Sequence, residues 1–560
     1  PRPVEPWSEP LDCTSGRPAR ERRAWPVQWC SADQRAAGIE TSEDCLHLNV
    51  WAPLRSRGCP VLVWMGSGGR VTGGSAHDAA RDGMAFAERN IVFVSCNYRI
   101  GVLGCLWPEH GDANCGLWDQ VEVLRWVQRE IVSFHGDPQR VTIMGQSAGA
   151  DSCLCLCVSD AANSLFHRAI LHSAGAFALD ADKARELAAE FAVRAGAESP
   201  QLRHMQEIPV ETLLKSQLLG SFTLQHGCCP GWFDVLSPTP EVLPIVTASE
   251  SGLLSMRSGA SCPLGVHTID AELLTCQPLD ALALGAAAHL DIIIGCNRDE
   301  GAFQPMSPEA PRVASWSSVC TTFMERREDV AARMTWELAP MQPVIGEAQL
   351  SIRSAKLMEA YESEFGTDLS RPAGSSTNYW QQLQDAMASD FMSGAFTYLA
   401  SARLARAGGC RSVYRYQFQG SGGDGTALHG AELAILLGAR QGDEQDSHEN
   451  VSSTRSSPES SCSARLREAW RDSWAAFVRV GDPNTRSMCG KWEPFSQPSR
   501  PICLWDGASG WSVSDGWLLT RRIGLCSVVD LFERIMNLRR LPDRMESTPP
   551  CDRKCAAVRS

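Results

Sequence analysis

Gly145-Gln146-Ser147-Ala148-Gly149 constrains this chain more than any other stretch. It follows the β-branched run Val141-Thr142-Ile143 and opens into residues that can continue as a helix. A serine placed between strand and helix in this way forms a nucleophile elbow. The turn is so tight that residues two before and two after the serine crowd each other, and glycine at 145 and 149 removes the clash a Cβ would cause. A pentapeptide of this kind is short, so its partners must decide whether Ser147 is a nucleophile.

A serine needs a base, and for an elbow serine the chain order is Ser, then Asp or Glu, then His. A carboxylate stands in Asp299-Glu300-Gly301, directly after the apolar run Ile292-Ile293-Ile294-Gly295. A buried parallel strand there would deliver a loop to the C-terminal edge of its sheet. Of the twelve histidines, only His429 and His448 follow it. His448 sits in the polar stretch Gln445-Asp446-Ser447-His448-Glu449-Asn450, whereas His429 precedes the apolar Ala434-Ile435-Leu436-Leu437. His429 is therefore the better base, with Glu300 to orient it. Each taken alone has an ordinary alternative, a solvated loop carboxylate or a structural histidine. Donors for an oxyanion are expected where the core strand Val61-Leu62-Val63-Trp64-Met65 runs into Gly66-Ser67-Gly68-Gly69. Gly68, Gly69 and the N–H of Ala148 are the candidates; an ordinary glycine turn is the alternative.

These residues resemble the type-B carboxylesterases and cholinesterases of the α/β-hydrolase fold. The resemblance is carried by Ser42-Glu43-Asp44-Cys45-Leu46-His47-Leu48-Asn49-Val50-Trp51, Asn97-Tyr98-Arg99-Ile100-Gly101 and Asn114-Cys115-Gly116-Leu117-Trp118-Asp119-Gln120. Leu165-Phe166-His167-Arg168-Ala169-Ile170, Asn297-Arg298-Asp299-Glu300-Gly301 and Gly481-Asp482-Pro483-Asn484 continue it in family order, from about Pro6-Trp7 to about Trp505-Asp506. It implies an α/β fold with a large, mostly parallel central sheet flanked by helices, and a serine carboxylic-ester hydrolase acting through an acyl-enzyme. It supports Ser147, Glu300 and His429 as the triad and Gly68, Gly69 and Ala148 as the oxyanion hole. It also places Cys30 and Cys45 where the family has its first disulfide loop, which would imply a secretory route.

Departures from the family pattern are informative. Ser67 stands where the family's His-Gly-Gly-Gly has its first glycine, and Gln146 where most members have Glu. The position of the cholinesterases' choline-stacking tryptophan holds Arg35, so a quaternary-ammonium site is unsupported. Pro1-Arg2-Pro3-Val4-Glu5-Pro6-Trp7 resembles a stretch inside the family's fold, so its opening strands are expected to be missing, together with any signal peptide. The other class of function compatible with this sequence is a weak or inactive cholinesterase-like protein used for binding or adhesion; the intact triad argues against it.

The motifs interleave as one fold, so residues 1–530 are expected to form one catalytic domain with insertions and residues 531–560 a basic, irregular appendage. A net charge of -13 and a pI near 5.5 leave no basic stripe for nucleic acid. No apolar run reaches the roughly 18 residues of a transmembrane helix. A small ester is the expected partner, with no cofactor and no metal. Cys153, Cys155 and Cys157 are expected as buried small hydrophobes on the helix after Ser147. Strands are expected at 61–65, 91–95, 141–144, 169–172, 291–295 and 413–418, and a helix at 120–131. A polar surface loop is expected over 441–463, with the sequon Asn450-Val451-Ser452.

Overall fold

The structure is a computed structural model. It describes residues 24–28, 40–74, 83–175, 178–222, 266–301, 327–328, 330–331, 347–365, 379–406, 408–420, 427–437, 461–486, 490–496, 500–506 and 510–515. Cys30, Arg35, His448, Asn450 and the stretches 1–23 and 516–560 lie outside the described residues.

Nine strands form one sheet: β1 Leu48–Trp51, β2 Cys59–Met65, β3 Val92–Cys96, β4 Gly136–Gln146, β5 Arg168–His172, β6 Asp291–Asn297, β7 Ser412–Gly420, β8 Pro501–Asp506 and β9 Gly510–Asp515. Their spatial order is β9-β8-β7-β6-β5-β4-β2-β3-β1. All neighbours are parallel except β1 against β3 and β9 against β8. Every strand expected from the sequence is present. The three left unplaced by sequence reasoning, β1, β8 and β9, lie at or next to the sheet edges. There the runs are less uniformly apolar, and β8 opens on a proline.

Alternation by two along the central strands divides the core into two faces. Val61, Val63, Met65, Ile143, Ile292 and Ile294 lie on one side, in a single apolar cluster that takes in Leu117, Val121 and Leu124 of helix α1, Cys115–Glu130. The second helix of that side is α2, Ala148–Cys157, which follows β4 directly. Cys153, Cys155 and Cys157 are buried on α2 as small hydrophobes. On the opposite face Leu62, Trp64, Met144, Ile170 and Ile293 meet a tryptophan cluster, with Trp470 stacked on Trp505 at 5.1 Å. Burying both faces explains why the parallel strands read as unbroken apolar runs. Helices α3, Tyr379–Ser389, α4, Ala395–Leu404, α5, Ala431–Leu436, and α6, Ser461–Val480, complete the elements used below. Residues 461–463, expected as the end of a loop, open α6 instead.

One expectation is corrected. Cys45 is a free, buried thiol and not one half of a disulfide with Cys30. Burial, and then the neighbouring Asp119 carboxylate, push it up to about 12.

Candidate active site

The elbow is built as its glycines require. Ser147 has φ 58° and ψ −126°, a backbone conformation that an L-residue keeps only when its surroundings enforce it. A Cβ on Gly145 would lie 2.3 Å from the carbonyl carbon of Gly149. One on Gly149 would lie 2.2 Å from the Met65 carbonyl oxygen at the end of β2. The Ser147 N–H donates to the His172 carbonyl at 2.7 Å, which ties the turn to β5. Among the described residues the buried Ser147 Oγ has no hydrogen-bond partner.

Glu300 follows the end of β6, where Asn297 is in register with Phe418 of β7. Its carboxylate is 1 % exposed and accepts three hydrogen bonds. Oε1 accepts from Ser173 Oγ at 2.5 Å and from the Asn297 N–H at 2.7 Å; Oε2 accepts from Nδ1 of His429. The loop carrying His429 is fixed in turn by Asp299: its N–H donates to the Ala427 carbonyl, and its Oδ2 accepts the Ala427 N–H, both at 3.0 Å. On the far side the Gly301 N–H donates to Ser389 Oγ at 2.9 Å, at the end of α3, where a π-helical turn over Asp390–Gly394 leads into α4.

The other ring nitrogen of His429 faces Gln146, whose Nε2 lies 3.0 Å from His429 Nε2. Because Glu300 can only accept, Nδ1 carries the proton, and Nε2 accepts from the Gln146 amide. The structure thus brings Glu300, His429 and the elbow together, but the imidazole rests on the residue before the serine. Catalytic hydrogen bonds often tighten only when substrate is bound. Burial opposes charge on His429, but the Glu300 charge and hydrogen bond, with smaller contributions from other buried carboxylates, outweigh it and raise the imidazole above its usual value. Glu300 is not the sole carboxylate acting on the ring, because Glu432 and Asp151 also favour the imidazolium.

Glu432 is the least expected group here. It lies on α5, three residues after His429, fully buried. Asn297 Nδ2 donates to its Oε2 at 2.5 Å, while Oε1 has no hydrogen-bond partner among the described residues. Burial, and then the Glu300 charge, raise it to about 7. An acid in the apolar segment Ala431-Glu432-Leu433 is its one sequence signal. Ser173 carries none, since its role depends on the ends of β5 and β6 meeting across the sheet, whereas Asn297 opens the family motif that contains Glu300.

A carboxyl with its folded value raised from 4.5 to about 7 contributes stability that is complete below pH 4.5 and lost as pH climbs to about 7. Glu432→Gln lacks this titration. Its stability relative to wild type should therefore rise over that window, by on the order of 3 kcal/mol. Denaturant unfolding at pH 4.5, 6 and 8 checks this, and a pH-independent difference would show that Glu432 does not titrate there.

The glycine turn after β2 is also in place. Gly68 and Gly69 have φ 106° and 62°, and a Cβ on Gly68 would lie 2.2 Å from the Thr72 carbonyl oxygen. The Gly68 carbonyl is turned into its own loop, accepting the N–H groups of Val71 and Thr72 at 3.1 and 3.0 Å. Tyr98 OH holds the Gly66 carbonyl at 2.6 Å. Ala148, the first residue of α2, directly follows the serine.

Strand-end side chains gathered at the C-terminal edge of a mostly parallel sheet, with a serine on a strained strand-to-helix turn, define an α/β-hydrolase. The sequence profile of the carboxylesterase family matches residues 1–506. Phenmedipham hydrolase of Pseudarthrobacter oxydans is 28 % identical over 92 % of this chain and 85 % of its own length. Liver carboxylesterase 1 of Mus musculus is 28 % identical over 89 % of this chain and 80 % of its own length. The solved structure of a PNB esterase superposes with a TM-score of 0.65 at 22 % identity, covering 89 % of this chain and 88 % of that one, and so shares the fold. The chain belongs to the carboxylesterase family of ester hydrolases.

Proposed function

We propose that this protein cleaves small carboxylic esters through an acyl-enzyme on Ser147. His429 Nε2 takes the proton from Ser147 Oγ as that oxygen bonds to the ester carbonyl carbon, and Glu300 stabilises the resulting imidazolium. The N–H groups of Gly68, Gly69 and Ala148 receive the oxyanion. Collapse breaks the bond to the alkoxy oxygen, which leaves as the alcohol with the proton from His429. Water, deprotonated by the same imidazole, then releases the acid and restores Ser147. The observation that carries this reading is the seating of His429 between a thrice-held Glu300 and the elbow. Residues 1–530 are taken as the catalytic domain and 531–560 as an appendage to it.

A short-chain nitrophenyl ester tests the proposal: purified protein should release nitrophenol with a burst proportional to enzyme, followed by steady turnover. Absence of both burst and turnover would favour a binding protein on an esterase scaffold.

Gln146 sets a pH prediction for the same reading. An opposite charge within about 4–6 Å shifts a titration by about 1–3 units. Gln146→Glu places a carboxylate against Nε2, where it favours the imidazolium that cannot act as base. The acidic limb of kcat/KM should move upward in pH, with activity on that limb falling about tenfold for each unit moved. A limb that stays put or moves downward, with activity retained, would mean that residue 146 does not meet the titrating imidazole.

A further inference from the structure

Behind the glycine turn lies a buried cation that the ester chemistry leaves without a part. Arg70 directly follows Gly69 and has φ 58°, a conformation rare for a residue with a side chain. Its side chain is 6 % exposed and that of Asp151, on α2, 7 %. Arg70 Nη1 donates to the Ala148 carbonyl at 2.9 Å and pairs with Asp151 Oδ2 at 3.4 Å. The other Asp151 oxygen accepts the Gly175 N–H at 2.6 Å, and the Arg70 carbonyl accepts the Gly101 N–H at 2.5 Å.

One guanidinium therefore joins the glycine turn after β2 to the start of α2 at the elbow. Arg70 extends from the turn that offers Gly68 and Gly69, and it grips the residue that supplies the third N–H. A buried ion pair contributes little net stability, because desolvating two charges offsets their attraction. What it supplies is position: a planar fork reaching a carbonyl and a carboxylate at once fixes distance and angle together.

We propose that Arg70, paired with Asp151, is a positioning residue that sets the spacing between the Gly68–Gly69 and Ala148 halves of the oxyanion hole, an inference that rests on the esterase reading above. It acts through the backbone of those residues and does not touch substrate. Its contribution belongs to the tetrahedral state, where the oxyanion needs all its donors at hydrogen-bond distance, and not to binding of the flat ester.

Removing Arg70 alone would leave Asp151 as an unpaired buried charge and endanger the fold. The test therefore uses the double variant Arg70→Met/Asp151→Leu, which fills the same space without charge, alongside Arg70→Lys, which keeps the ion pair but cannot also reach the Ala148 carbonyl in the same plane. Three quantities are read on intact protein: kcat and KM for a nitrophenyl ester, affinity for an aryl trifluoromethyl ketone, which adds to the serine and creates an oxyanion, and affinity for the matching secondary alcohol, which creates none. Thermal unfolding reports the fold. In either variant that folds, kcat and ketone affinity should fall together by about 10- to 100-fold, with KM and alcohol affinity within about threefold of wild type. A general loosening of the fold would instead weaken alcohol and ketone alike and lower the melting temperature. Either that pattern, or ketone affinity within about twofold of wild type in a folded variant, overturns the clasp. A wild-type protein that neither hydrolyses the ester nor takes the ketone overturns the esterase reading and the clasp with it, whereas an active wild type with indifferent variants removes the clasp alone.

Discussion

Ser147→Ala should abolish labelling by a fluorophosphonate probe and lower kcat by about 10⁶-fold, the size seen when a triad serine is removed. The size follows from chemistry, since no other group at the elbow can carry the acyl group. The change is also clean. Alanine keeps the Cβ that already sits at φ 58°, so the backbone strain is the same before and after. The lost Oγ has no hydrogen-bond partner among the described residues, so its removal breaks no structural contact there. Unfolding midpoints should match those of wild type, which separates loss of the nucleophile from loss of the fold. Labelling that survives the substitution would move the nucleophile elsewhere and remove Ser147 from the mechanism.

The parts of this site legible in the sequence share one property: each candidate follows an apolar strand or precedes an apolar helix closely enough for the local pattern to place it. Ser147 comes directly after β4, Glu300 three residues after β6 and His429 two residues before α5. Chain order then selected among the histidines. Groups that tune or hold these residues were not legible, because their partners are distant in sequence. Ser173 reaches Glu300 across 127 positions, and Arg70 reaches Asp151 across 81. Gln146 was singled out only through its departure from the family's Glu; that its amide occupies His429 Nε2 emerges from packing two segments 283 positions apart. The disulfide expectation failed for a related reason. A shared cysteine position says nothing of the local environment, and Cys45 is a buried free thiol close to Asp119.

Glu300→Gln should lower kcat by about 10⁴-fold, as the comparable exchange of a triad carboxylate for an amide does, while leaving the fold in place. The three donors around Glu300 dictate how the amide must sit. Its Oε1 site receives the Asn297 N–H at 2.7 Å and Ser173 Oγ at 2.5 Å. A backbone N–H is a donor that cannot turn away, so an NH₂ group at this site would oppose it, and the glutamine oxygen must take the position. The NH₂ is then left facing Nδ1 of His429. Nδ1 becomes the acceptor, and the ring proton moves to Nε2, the nitrogen that should receive the proton from Ser147. Gln146 reinforces the wrong tautomer: with its amide turned over, its oxygen accepts from Nε2–H across the same 3.0 Å gap. With the proton on Nε2, that nitrogen has no lone pair left to take one from Ser147, and the neutral amide no longer stabilises an imidazolium. The expected signature is a loss in kcat with little change in KM, together with a proton on Nε2 in nitrogen-labelled NMR spectra of His429, where the wild type carries it on Nδ1. A loss below about tenfold, or a variant whose His429 keeps its proton on Nδ1, would show that Glu300 does not control the tautomer, and the assignment of the triad carboxylate would have to pass to another acid.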